Sequence, residues 1–210
     1  MKIAVLGATG WIGSTIVEQA SKRGHDVISI VRDAAKVPED TKNVRVFDLQ
    51  SQEDITPVLE NIDLVIASIG GRAAGNHELV ADTAERLLTA LDGSKNRILW
   101  VGGAGSLEVA PGVQLVTTPD FPAEYKAEAL AQGEALDKFK HTSSSVNWTF
   151  VSPAASIYPG ESEGAYRIGG DEFFTNDAGE SKISVTDYAL AMLDEAENAA
   201  HLNQRISVAY

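Results

Sequence analysis

A chain of 210 residues, 44% hydrophobic and 22% charged, has enough apolar side chains to bury a sizeable core and reads as one globular domain. Its 30 acidic residues against 17 basic ones leave a formal net charge of −13, which opposes nucleic acid and anionic membranes and excludes both as partners. Cysteine is absent, which excludes disulfides and thiolate metal sites, and no apolar stretch approaches the ~18 residues that span a bilayer.

Strands alternate with helices along the chain, the pattern of a doubly wound α/β fold with a parallel sheet. The pattern predicts a strand at Lys2–Leu6, a helix over 10–23 ended by Gly24, and a second strand at Asp26–Val31. A third strand follows at Val44–Phe47, then a short helix beginning at Ser51–Glu53 and a fourth strand at Asp63–Ser68. An amphipathic helix is predicted over 76–91, from Leu79, Ala84, Leu87, Leu88 and Leu91 at near-helical spacing. A fifth strand spans Arg97–Val101, a Pro-containing loop leads to a helix over Ala123–Lys140, and a sixth strand spans Asn147–Val151. Trp100 and Trp148 read as core. Residues 1–152 form the expected cofactor-binding core. Residues 153–210 form an irregular, Gly-rich and acidic substrate-covering segment, with short strands near Tyr166–Ile168 and Lys182–Ser184. The chain closes with a helix from Thr186 to Asn198 and a strand at Arg205–Val208, and Ser184 and Asp187 stand at capping-box spacing. The first apolar run is too short for a signal peptide and is broken by Gly7, so the expected location is the cytoplasm.

The chemistry concentrates where strand one meets helix one. Gly7-Ala-Thr-Gly10-Trp-Ile-Gly13 places three glycines three apart between a buried-type strand and a helix, in the spacing GxxGxxG rather than GxGxxG. A dinucleotide's pyrophosphate rests on a helix N-terminus of this kind. Gly7 permits the tight turn, Gly10 the approach of the phosphates and Gly13 close helix–strand packing. Cofactor contacts are expected from Gly7, Thr9, Gly10, Trp11 and Ile12, with Trp11 either covering the cofactor's edge or packing on a neighbouring loop.

In an open parallel sheet the remaining contacts come from the carboxyl ends of the strands. After strand two, Arg32 suits the 2′-phosphate of NADP, with Lys36 in the same loop, whereas Asp33 would suit the ribose hydroxyl of NAD; the order favours NADP(H) over NAD(H). After strand three, Asp48 and Leu49 offer an adenine contact or a helix cap. Ser68, Ile69 and Gly70 after strand four suit close approach to a ribose. Val101, Gly102 and Gly103 follow strand five, leading to Ser106, and Pro153 is expected beside the nicotinamide. The scattered histidines include no carboxylate cluster, so no metal site is expected, and His77 reads as a surface cap of its helix.

The glycine turn, the Val31-Arg32-Asp33 loop, Asp48-Leu49, Val101-Gly-Gly-Ala-Gly-Ser-Leu107 and Trp148-Thr-Phe-Val-Ser-Pro153 recur together in one known group. In these motifs, and in Gly179-Glu-Ser-x-Ile-Ser-x-x-Asp187-Tyr-Ala189, the chain resembles the atypical short-chain dehydrogenase/reductases. Within them it is similar to the NADH–flavin reductase group, itself similar to the biliverdin-IXβ/flavin reductases. The resemblance spans essentially the whole chain and implies a Rossmann-type fold, NAD(P) binding and reductase activity. Such enzymes typically carry a Tyr-x-x-x-Lys pair, in which the lysine lowers the tyrosine pKa. Here Tyr125 stands in place but Ala129 replaces the lysine, and Lys126 lies about 100° round the helix. That departure argues against carbonyl dehydrogenation and epimerisation. It is compatible with hydride transfer to a flavin or another planar conjugated small molecule, with Ser106 and Tyr125 orienting the acceptor or, for Tyr125, lining the pocket rim. The alternative is a non-catalytic NADP(H) sensor that docks onto a partner. The acceptor contacts are expected from loops at 70–77, 105–122 and 154–180, with Tyr158, Tyr166, Phe173 or Phe174 forming part of an apolar wall.

Overall fold

Apolar residues on both sides of each central strand dictate a sheet covered on two faces. In β1 (Lys2–Leu6), Ala4 and Leu6 point into one core while Ile3 and Val5 point into the other, and all four are buried. The computed structural model describes residues 1–37, 41–72 and 75–210. Its main sheet adds β2 (Asp26–Val31), β3 (Val44–Val46), β4 (Leu64–Ala67), β5 (Arg97–Val101), β8 (Asn147–Pro153), β10 (Arg167–Gly169) and β12 (Gln204–Ala209). The order is β10-β12-β8-β5-β4-β1-β2-β3, and every pairing is parallel except β10 with β12. The chain leaves β1 toward β2 and β3 and returns to place β4 on the opposite side, which creates a switch point at the carboxyl ends of β1 and β4.

Helices α2 (Glu78–Ala90) and α3 (Ala123–Lys140) pack together on one face, and α1 (Trp11–Lys22) and α4 (Val185–Asn198) on the other. The first layer centres on Phe139, whose ring meets Trp100 edge-on at 5.4 Å and tilts against Trp148 at 5.3 Å. The second buries Ile16, Leu99, Tyr188 and Met192. Trp100 and Trp148 are thus core residues, and the expected elements form within a few residues of their predicted ends.

The departures have local causes. No helix starts at Ser51–Glu53; a 3₁₀ turn forms instead at Thr56–Leu59. The carbonyls of Leu49, Ser51 and Glu53 accept from the Arg86 guanidinium, and the Asp54 carboxylate accepts from the Thr56 N–H, so the helical turn begins later. Strand β8 runs two residues further than expected because Ser152 and Pro153 pair with Ser207 and Val208 of β12. The loop before α3 contains a small hairpin, β6 (Glu108–Ala110) with β7 (Val113–Gln114), whose turn carries Gly112 at φ +74°. Strand β9 (Ser156–Tyr158) pairs in parallel with β11 (Lys182–Ser184).

The segment beyond β8 divides between the two layers. Residues 160–166 lie along α4: Thr186 Oγ1 donates to the Gly160 carbonyl, Ser162 Oγ and the Glu163 N–H donate to Asp187, and the Tyr166 hydroxyl donates to Asp194. Tyr166 and Phe174 pack against the α1/α4 core, away from the apolar wall expected of them. Residues 171–173 instead run beside β6, with the Glu108 N–H donating to the Asp171 carbonyl at 2.9 Å and the Phe173 N–H to the Glu108 carbonyl at 2.8 Å.

Candidate dinucleotide site

The turn after β1 shows why each glycine is needed. Gly7 lies at φ +74°, and a Cβ there would come within 2.1 Å of the Ser68 carbonyl oxygen. A Cβ on Gly13 would come within 2.2 Å of the Gly7 carbonyl oxygen, so α1 closes tightly on the turn. Gly10 differs, because a Cβ would meet only the Gly7 oxygen, at 3.2 Å. Gly10 is the N-cap of α1 and provides no side-chain cap, which leaves the first-turn amides beside Trp11 and Ile12 without a capping oxygen from that residue. An uncapped helix N-terminus behind an open glycine fits a pyrophosphate anion in charge and in space. Thr9 and Trp11 are exposed here, and the backbone oxygen of Trp11 accepts from the hydroxyls of Ser14 and Thr15.

Beyond β2, Arg32 is exposed and has no hydrogen-bond or ion-pair partner among the described residues. The adjacent Asp33 carboxylate accepts from the Ala35 N–H at 3.0 Å and caps the 3₁₀ turn Ala34–Lys36. The residue that would select NAD is therefore engaged locally, while Arg32 is open. Beyond β3, one oxygen of Asp48 accepts from the Gln50 N–H at 3.0 Å, a local turn that leaves Asp48 exposed beside half-buried Leu49.

The loop after β4 is held from α3 by side chains that sequence reasoning missed. Gln132, buried, donates to the Ile69 carbonyl at 2.9 Å and accepts from the Trp100 indole at 2.9 Å. One turn earlier, Glu128 accepts from the amides of Gly71 at 3.2 Å and Arg72 at 2.8 Å, and Gly70 lies against the same carboxylate. His77 is the N-cap residue of α2 but makes no side-chain cap; its Nδ1 approaches Glu128 at 3.3 Å without hydrogen-bond geometry. Its ring therefore lies beside this cluster and does not cap the helix. The available signal was polar Glu128 and Gln132, four residues apart, among the alanines of one helix face.

At the end of β5, Val101 is buried and the Gly102 N–H donates to the Val151 carbonyl at 2.9 Å. A Cβ on Gly102 would penetrate the Phe150 ring at 2.1 Å, and one on Gly103 would meet Gln132 at 3.3 Å. Pro153 closes β8 next to these glycines. Ser106 is buried, and its hydroxyl accepts from Arg205 at 3.3 Å. Arg205 also donates to Asp171 at 2.7 Å, so Ser106 belongs to a bracket between β12 and residues 171–173. Tyr125 is half-exposed with the Arg72 guanidinium 4.6 Å above its ring, and among the described residues no hydrogen bond joins it to Ser106. Ala129 faces Gly105, where an added Cβ would stand 2.6 Å away. Residues 73–74 of the expected acceptor loop lie outside the described residues.

A groove of about 720 Å³ lies between residues 49–56 and α2. Its wall carries Glu53, Asp54, Asp82 and Glu85, which makes it a poor seat for phosphates, and the glycine turn is the better candidate for the cofactor. Among the described residues there is no group of His, Asp and Glu able to hold a metal ion and no helix long and apolar enough to cross a membrane.

Known proteins are similar to this chain over its whole length. The Bacillus subtilis protein YwnB is 43% identical over 99% of this chain and 98% of its own. A proposed NADH-flavin reductase from Streptococcus pneumoniae is 39% identical, with a TM-score of 0.91 over 100% of this chain and 99% of that one. A proposed epimerase from Bacteroides thetaiotaomicron is 34% identical, with a TM-score of 0.89 over 100% of this chain and 96% of that one. The sequence profile described as NAD(P)H-binding matches residues 7–196, from the first glycine of the turn into the last turn of α4, and the chain belongs to that NAD(P)H-binding family with a Rossmann-type fold.

Proposed function

We propose that this chain is a cytoplasmic, NADP(H)-dependent reductase that passes hydride to a flavin or another planar conjugated acceptor, without a tyrosine–lysine pair. The observation that carries the reading is Ala129 packed against Gly105. Position 129 carries a methyl group against the Gly105 loop, where even a Cβ on the glycine would stand 2.6 Å away, and an alanine there offers Tyr125 no ammonium. Carbonyl reduction, epimerisation and dehydration at a sugar carbon all need a proton moved at a defined oxygen, and this helix lacks the pair that moves it. Reduction of an isoalloxazine does not. The hydride goes to a ring nitrogen and the accompanying proton can come from water, leaving the protein to align two flat rings.

The first-turn amides of α1 would hold the pyrophosphate, Arg32 the 2′-phosphate, and Asp48 and Leu49 the adenine. Ser68, Ile69 and Gly70, fixed by Gln132 and Glu128, would flank one side of the nicotinamide half, and Val101, Gly102, Gly103 and Pro153 the other. A bound nicotinamide supplies the hydride. Tyr125 at the rim would orient the acceptor, while Ser106, held by Arg205, would set the loop beneath it.

Steady-state NADPH oxidation with FMN, FAD, riboflavin and quinones tests the reading. Turnover of a flavin with kcat/KM above that for simple ketones is expected. Tight NADPH binding with no turnover on any planar acceptor would overturn it in favour of a redox-sensing binding protein.

A further inference from the structure

Arg86 stands in the middle of α2 and turns its guanidinium onto the segment that follows β3. It donates to the carbonyl oxygens of Leu49 at 2.9 Å, Ser51 at 3.2 Å and Glu53 at 2.6 Å. Its central carbon also lies 5.2 Å from the centroid of the Phe47 ring, which is itself buried. The segment between β3 and the 3₁₀ turn belongs to no helix or strand, and within it Asp48 accepts from the amides of Gln50 and Ser51. One side chain from α2 therefore fixes the backbone on both sides of Gln50. The planar fork of a guanidinium spreads its donors over several neutral carbonyls in one fixed geometry while stacking flat on an aromatic face, a shape the compact ammonium does not reproduce.

We propose that Arg86 is the positioning residue for the adenine half of the cofactor, holding the Asp48–Leu49 turn in its binding geometry before the nucleotide arrives. This rests on the reading of Asp48 and Leu49 as the adenine contact. A loop already ordered in the free protein loses less freedom on binding, so removing its anchor weakens every ligand that uses that loop. Ligand parts that do not touch it are unaffected. Carboxylates surround the guanidinium in the groove, at Glu53, Asp54, Asp82 and Glu85, yet the three short bonds are to carbonyls; the side chain shapes the backbone rather than neutralising the wall.

Arg86→Met keeps the aliphatic stem, and Arg86→Lys keeps the charge. Calorimetry on both is expected to show NADPH and adenosine 2′,5′-bisphosphate weakened by the same factor, about tenfold, the equivalent of one or two lost hydrogen bonds. Lysine is expected to give no rescue, whereas added methylguanidinium should restore binding to Arg86→Ala. A variant that melts lower but binds adenosine 2′,5′-bisphosphate like wild type would overturn the proposal and leave Arg86 a scaffold residue. Loss for NADPH alone would also overturn it, by placing the effect at the nicotinamide end. If the variants do not fold, hydrogen exchange on the wild-type protein decides: the amides of Gln50 and Ser51 should already be protected in the free protein, and protection that appears only when adenosine 2′,5′-bisphosphate is added overturns the proposal. If adenosine 2′,5′-bisphosphate fails to displace NADPH from the wild type, the adenine reading of Asp48–Leu49 falls, and this proposal with it. The reductase reading would then still stand on turnover.

Discussion

The hydroxyl of Tyr210 joins Asp187 to Ser184: it donates to the Asp187 carboxylate and accepts the Ser184 N–H at 3.2 Å. The spacing Ser184-x-x-Asp187 predicts a capping box, and its first half forms directly, with Ser184 Oγ accepting from the Asp187 N–H at 3.0 Å. The return bond is relayed through the tyrosine. Asp187 is thereby released to hold Ser162 and Glu163, and one buried carboxylate links α4, residue 210 and the segment after β9.

This linkage predicts a specific pH dependence. Burial alone would raise the Asp187 pKa, but donation from Ser162, Tyr210 and the Glu163 amide outweighs it and holds the carboxyl below its ordinary value. A carboxyl depressed in the folded state stabilises fully above its unfolded pKa of about 3.9, and that stability is lost as pH falls through the folded value. Asp187→Asn is expected to lower stability at pH 7 by roughly 2–4 kcal/mol, the range for breaking a buried charged network, with the deficit shrinking toward pH 2. Tyr210→Phe should lose about 1–2 kcal/mol through one charge-assisted bond and one amide left unpartnered. Urea melts across pH 2–7 measure both, and a deficit for Asp187→Asn that grows in acid would contradict the assignment.

The glycines of the turn are expected to separate folding from binding. Gly13→Ala places a Cβ against the Gly7 carbonyl and should destabilise by roughly 1–3 kcal/mol, as overpacking does. Gly10→Val would press its Cβ only on the Gly7 oxygen, at 3.2 Å, and would fill the proposed phosphate space, so it should melt within a few degrees of wild type and show no NADPH binding by calorimetry. Binding at wild-type strength in Gly10→Val would place the cofactor elsewhere.

Arg32→Ala should weaken NADPH by roughly 1.5–3 kcal/mol, the size of a charge-assisted contact, and NADH hardly at all. Because Asp33 is engaged by Ala35, Asp33→Ala should leave NADH affinity unchanged, whereas removing a carboxylate bound to the ribose hydroxyls would weaken it. Dissociation constants for both cofactors on both variants decide the matter. Equal losses for NADPH and NADH in Arg32→Ala would mean that the guanidinium stacks on the adenine instead.

Tyr125→Phe is expected to slow flavin reduction by less than about tenfold, under ~1.4 kcal/mol of transition-state stabilisation. A conventional general acid would cost about 10²–10⁴ in rate. Ala129→Lys restores the pair at a half-buried position but should create no alcohol dehydrogenase, because the surrounding loops still present no carbonyl in register. A thousandfold loss in Tyr125→Phe with intact NADPH affinity would make Tyr125 the proton donor.

What the residues determine by themselves is local and periodic. Apolar runs on both faces of β1, β4 and β5 demand a covered parallel sheet, and three glycines after a buried strand demand a tight turn into a helix. Those signals are written in consecutive residues, so the fold and the tight turn proposed to hold the phosphates are legible in the chain alone. The loops proposed for the adenine and nicotinamide ends are not, because their geometry is set by side chains distant in sequence. Arg86 claims the carbonyls that a helix at Ser51 would have used, Gln132 and Glu128 pin a loop some 60 residues earlier, and Arg205 removes Ser106 from Tyr125. Tyr166 and Phe174, read as pocket wall from their place in the chain, pack on the α1/α4 layer because burying an aromatic ring there outweighs what a Gly-rich strap could offer it. Hydrogen bonds to loop carbonyls and amides have no sequence period, and only the packing of α2, α3 and β12 against the sheet decides which of them form.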